Sequence, residues 1–272
     1  MNQNHFFFFC VVLFSNIGMA QFSSNLSSYN PAMTGLMDKQ FGQINYSHQK
    51  HSEQIEQNRI NGLYNYSADR LNSGFGINFS QIQNAWSNST IIGGSYQYTF
   101  TLSETVKLAV GTSLNYINQN TRGYYQDLFG FNKRHYLRLN FGTAIKWKGL
   151  NAGISAGKFD LISHDKPDPI ASNPKKNLFN WLNAHVWYDF KIGDNFILSP
   201  NVVTGNISNI NLRGEHSNRF WWNLGYGFRD YVNLGAGVRV FNQFHVGYGL
   251  NLKLKHNPTL FHNFSLSYRL RK

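Results

Sequence analysis

The sequence predicts an all-β protein, a transmembrane antiparallel β-barrel of about fourteen strands. Three observations predict it. Apolar and polar residues alternate over runs of ten or more residues, where a tilted strand needs roughly 9–11 to cross a bilayer. Charged residues make up 14% of the chain while mean hydropathy stays negative at −0.39. That combination fits a barrel whose apolar face is diluted by a polar one. The joints between runs alternate between short and long through the first half of the chain.

The clearest alternation lies at 231–254. Val232, Leu234, Ala236, Val238 and Val240 fall on one face, with Asn233, Gly235, Gly237 and Arg239 on the other. The next run repeats it: Phe244, Val246, Tyr248, Leu250, Leu252 and Leu254 oppose His245, Gly247, Gly249, Asn251 and Lys253. No run after the N-terminus has the eighteen apolar residues of a membrane helix.

Taken in order, residues 1–20 read as a cleaved signal peptide: an apolar core, NHFFFFCVVLFSNIGMA, ends in small-x-small at Gly18-Met19-Ala20. It carries Cys10, so the expected mature chain has no cysteine, and disulfides and thiol chemistry fall away. Residues 21–38 precede any alternation and read as a lead-in on the periplasmic side, with Asn30-Pro31 as turn starter and Gly35 as breaker. The barrel is expected over 39–272.

Its strands are expected at 39–48, 56–67, 74–83, 90–101, 105–118, 134–148, 150–160, 179–191, 195–205, 206–213, 217–229, 231–242, 243–254 and 261–270. The joints after the second, fourth, sixth and eighth are short: ADRLNS, SET, KGL and GDN. Those after the first, third, fifth and seventh are longer, reaching QNTRGYYQDLFGFNK at 119–133 and the run at 161–178. Short periplasmic turns and long outer loops give this parity to a barrel that begins and ends in the periplasm. Aromatics near strand ends, among them Tyr96, Tyr98, Phe100, Trp147, Trp187 and Tyr268, suit interfacial girdles, although β-propensity also places aromatics in strands.

The net charge is +12, from 25 Lys+Arg against 13 Asp+Glu. The cations are spread singly and form no stripe, so no nucleic-acid partner is expected. Lys107, Arg138, Lys146, Arg229, Arg239, Lys253 and Arg269 fall on polar faces and are candidate cations of an electropositive lumen. The bland alternative is that Asn, Gln, Ser and water solvate them. HExxH, Walker A and GxSxG are all missing. His48 and His51 stand close in SHQKHSEQ, which reads as a solvated loop. No catalytic residue, metal or cofactor is expected.

Gln21-Phe22-Ser23 followed by Tyr29-Asn30-Pro31-Ala32-Met33-Thr34-Gly35 resembles the N-terminal signature of the PorP/SprF family, where QF-S/T leads into NPAYAG. NFILSPNVVTG resembles the family's strand with a Pro-Ser pair, in the order Ser199-Pro200 here. FWWNLGYGFRD and FHNFSLSYRL resemble two later strands, with His262 matching and Asn263 replacing an acid. The chain departs from the family by SHQKHSEQ where Arg-Gln-Trp is usual, by Gly247-Tyr248-Gly249-Leu250-Asn251, and by its Arg271-Lys272 end. The resemblance implies an outer-membrane barrel of Bacteroidetes associated with type IX secretion. It implies as partners outer-membrane lipid, type IX components and a secreted surface protein such as a gliding adhesin. Asn30, Pro31 and Gly35 become candidate partner contacts, a plain turn being the equal alternative. A general porin with a basic lumen, or a surface adhesin, would read similarly in sequence.

Overall fold

Strand alternation leaves each backbone N–H and C=O to be paired between strands, and in hydrocarbon only a closed sheet pairs them all. The computed structural model meets that demand. It describes residues 26–52, 55–84, 87–122, 131–163, 182–205, 208–217, 219–228, 231–241, 243–254 and 260–271. The expected signal peptide, Arg229 and most of the two long loops lie outside them.

The strands are β1 (Asp38–Ser52), β2 (Ile55–Ala68), β3 (Ser73–Asn84), β4 (Ser87–Thr101), β5 (Val106–Arg122), β6 (Phe131–Trp147) and β7 (Leu150–Ser163). They continue with β8 (Leu182–Tyr188), β9 (Phe190–Ile192), β10 (Phe196–Thr204), β11 (Asn209–His216), β12 (Phe220–Gly227), β13 (Tyr231–Arg239), β14 (Phe244–Lys253) and β15 (Leu260–Arg271). β8 and β9 form one strand interrupted at Asp189, since both pair with β10. The barrel therefore has fourteen positions, closed by β15 on β1 and by β10 on β11, all antiparallel.

The expected strands are present, with three differences. The tenth begins later, at Asn209, and runs on to His216. The eighth is broken at Asp189. The first and third joints are short, because β1 reaches Ser52 and β2 starts at Ile55, while β3 reaches Asn84 and β4 starts at Ser87. SHQKH is thus strand, with His48 opposite Asn58. Both faces of this upper stretch are polar, so no alternation marks it in the sequence.

Outward positions are apolar and exposed, among them Ile44, Ile77, Ile92, Leu114, Phe141, Leu224 and Leu266. Inward positions are small or amide-bearing and buried: Gln43, Asn65, Gln97, Asn115, Asn151, Asn211 and Asn223. These amides bond to one another along the inner wall, as Asn211 Nδ2 does to Asn201 Oδ1 at 2.9 Å and Asn78 Nδ2 to Asn115 Oδ1 at 3.1 Å. Among the described residues no helix is long and apolar enough to cross a membrane.

The lead-in does not stay at the mouth. A 3-10 turn (Pro31–Met33) lies inside the barrel against the inner faces of β4, β5 and β6, and the one-turn helix α1 (Leu26–Tyr29) before it bonds to β2 and β7. Leu26, Ala32, Met33 and Leu36 form a small apolar core with Ala109, Ala144 and Trp187 of the wall. Where the 3-10 turn passes, the inward side chains are small: Ala109, Gly111, Gly142 and Ala144.

Candidate functional site: the inner segment and the chamber beside it

Asn30 caps the 3-10 turn: its Oδ1 accepts the Ala32 N–H at 3.0 Å, and Pro31 follows at the first position. Its Nδ2 points the other way and donates to the strand carbonyls of Thr143 (3.0 Å) and Ile154 (3.3 Å). One side chain thus shapes the turn and ties it to β6 and β7. Ser155 Oγ donates to Tyr29 O at 2.7 Å, Asn65 Nδ2 to Ser27 Oγ at 2.8 Å, and the Thr34 and Ser95 hydroxyls bond at 3.0 Å. Asn30, Ala32 and Thr34 are 0% exposed.

The wall is built to receive them. A side chain at Gly111 would overlap Pro31 and Ala32, and one at Gly142 would overlap Asn30 Oδ1. Gly35 turns the chain with φ +69 while packed against Tyr66 O, a place that disfavours any β-carbon. The structure thus gives Asn30, Pro31 and Gly35 one common role, holding the inner segment in the lumen.

Beyond the segment the lumen opens into a chamber of about 270 Å3, near the end of the barrel that carries the short turns. Its apolar lining includes Met33, Met37, Phe41 and Trp187. Six charged side chains also line it: Lys146, Arg213 and Arg269 against Asp38, Asp189 and Glu215. Arg269 Nε donates to Asp38 Oδ1 at 2.8 Å, Arg213 stands 3.6 Å from Glu215, and Ser199 Oγ donates to Asp189 Oδ1 at 2.5 Å. Asp38 is the first residue of β1 and Arg269 lies near the end of β15, so this pair bridges the closing seam.

The expected lumen cations do not form one column. Lys146 and Arg269 line the chamber, and Lys107 stands opposite Lys146 in register. Arg239 is at the same end, its Nε donating to Phe241 O at 3.3 Å. Arg138 lies toward the long-loop end with its guanidinium 4.9 Å over the Tyr136 ring, opposite Asp160 in register, and Lys253 ends β14 on that side. In the chamber itself three carboxylates stand beside the three cations. Asp38, Arg213 and Glu215 went unread because their partners are remote in sequence or lie on strands whose alternation is weak.

Beside the chamber Trp221 lies over Gly237 and Gly247, whose missing side chains make its room, and the Arg213 guanidinium sits 5.2 Å over its ring. A second hollow, of about 460 Å3, is lined by Leu108, Ile145, Ala152, Ile154 and Val186. These are outward positions without charge, so the hollow faces hydrocarbon, with Thr143 and Thr204 among its other lining residues. Among the described residues no three His, Cys, Asp or Glu stand together to hold a metal.

The model of the family described as type IX secretion system membrane protein PorP/SprF matches residues 15–268. No curated protein matches the chain in sequence. Three solved barrels are similar in fold alone. Acinetobacter baumannii outer membrane protein Omp33 has a TM-score of 0.53 at 10% identity, covering 87% of this chain and 100% of its own. The Pseudomonas putida toluene transporter TodX has a TM-score of 0.56 at 7% identity, over 93% and 94%. The CymD monoaromatic hydrocarbon channel gives 0.56 at 7%, over 92% and 93%.

Proposed function

Because the chain belongs to the PorP/SprF family of type IX secretion system membrane proteins, we propose that this outer-membrane barrel assists that system by exporting or anchoring one specific surface protein, such as a gliding adhesin, and performs no catalysis itself. The observation that supports this most is the inner segment. A general porin works through an open lumen, whereas here Asn30 ties a length of chain to the wall across the lumen. The runs at 119–133 and 161–178 belong to the long-loop end and are the surface offered to the partner.

The test is a deletion strain whose surface and secreted proteins are compared with the parent by mass spectrometry. Loss of one or a few surface proteins, with the rest unchanged, is the expected result. An unchanged set together with altered uptake of small solutes would replace this reading with that of a general channel.

A further inference from the structure

We infer that the lumenal chamber binds a peptide group carrying a positive and a negative charge close together. The inference rests on the partner-holding function proposed above and names the part of the partner that enters. Arg269 and Asp38 carry it. Their bond through Nε fixes the guanidinium plane and directs its outer edge away from the pair. Among the described residues no other group bonds Arg269 Nη1 or Nη2, or the second oxygen of Asp38 or of Asp189. The chamber therefore presents a held donor fork and two carboxylate acceptors to whatever enters it.

Charge balance sets the class of ligand. Three cations and three carboxylates line the space, so a ligand of one sign is attracted by one set and repelled by the other. A neighbouring pair of opposite charges is matched by both. Met33, Met37 and Trp187 supply an adaptable apolar surface for the stem or for a third, apolar side chain. The volume, about 270 Å3, exceeds the roughly 150 Å3 that accepts benzene in an engineered cavity, so one or two side chains fit.

The test is titration calorimetry of the purified barrel in detergent with three blocked tripeptides: arginyl-leucyl-aspartyl, arginyl-leucyl-arginyl and aspartyl-leucyl-aspartyl. The mixed peptide is expected to bind about tenfold more tightly than either other, the effect of one charged hydrogen bond. Arg269→Gln should abolish that preference and favour the dibasic peptide; Asp38→Asn should favour the diacidic one. Arg239→Gln, outside the chamber, should change nothing. Equal binding of all three peptides, no binding, or an equal loss for all three in both variants would overturn the inference. A purely structural ion pair would lower all three together. The same variants returned to the deletion strain identify the source. Loss of the surface protein with Arg269→Gln marks a segment of the partner, whereas full recovery with the binding preference intact marks a free periplasmic peptide. A deletion without effect on surface proteins removes the secretion reading and leaves the calorimetry standing.

Discussion

The two halves of the barrel fill their lumen by opposite means. β1–β7 run 12 to 17 residues, and at Ala109, Gly111, Gly142 and Ala144 their inward side chains shrink so that a separate length of chain can lie against them. β8–β14 run no longer than 10; Trp187 of β8 still meets the inner segment, and past it the wall fills itself, with Trp221 of β12 laid over glycines of the next two strands. One half depends on contacts more than a hundred residues apart, such as Asn30 to Ile154; the other depends on neighbours. The tall half is a socket for the inner segment, and the charged chamber is what remains between the socket and the short half.

Substitutions in each half should break different things. Trp221→Ala leaves a hole between β12, β13 and β14 and is expected to cost about 3–5 kcal/mol of barrel stability, read from urea unfolding in lipid vesicles. The inner segment should stay protected from protease in that variant. Gly111→Val does the reverse: its side chain would meet Pro31 and Ala32, at a cost of about 1–3 kcal/mol or more. Here the segment should leave the lumen and become cleavable within 26–37 while the barrel still migrates as folded on a cold gel. Asn30→Ala leaves the Thr143 and Ile154 carbonyls without this donor and should cost about 1–3 kcal/mol, raising the cleavage rate of the segment without changing the wall. The smallest effect is expected from Thr34→Cys with Ser95→Cys, whose parent hydroxyls are 3.0 Å apart. The oxidised pair should leave display of the partner at the parental level; loss of display on oxidation, restored by reductant, would show that the segment has to move.

The wall was legible because a period of two needs only a few neighbouring residues to declare itself, as in Val232 to Val240. Where both faces of a strand are polar the alternation is silent, which is why the first strand was expected to end at 48 and not at Ser52. The inner segment was not legible in position. Its one-turn helix is too short to show a period, and its counterparts, Gly111 and Gly142, looked like ordinary dilution of a polar face. The available signal was their recurrence at inward positions of adjacent strands, with Ala109 and Ala144 beside them, which leaves a trough that something has to occupy. Lys146 and Arg269 were identified as inward, but Asp38 and Glu215 near them were not, and the Asp38–Arg269 pair joins residues 231 apart.

That separation also bears on how the molecule is made. The inner segment precedes β1 in the chain yet is clasped by β6 and β7, so its binding groove does not exist until those distant strands are paired. Contacts so distant are slow to find. A nascent chain with its beginning in place has a template against which later strands set their alignment, and one without it has an empty trough at closure. The inner segment is therefore a mandrel on which the cylinder closes.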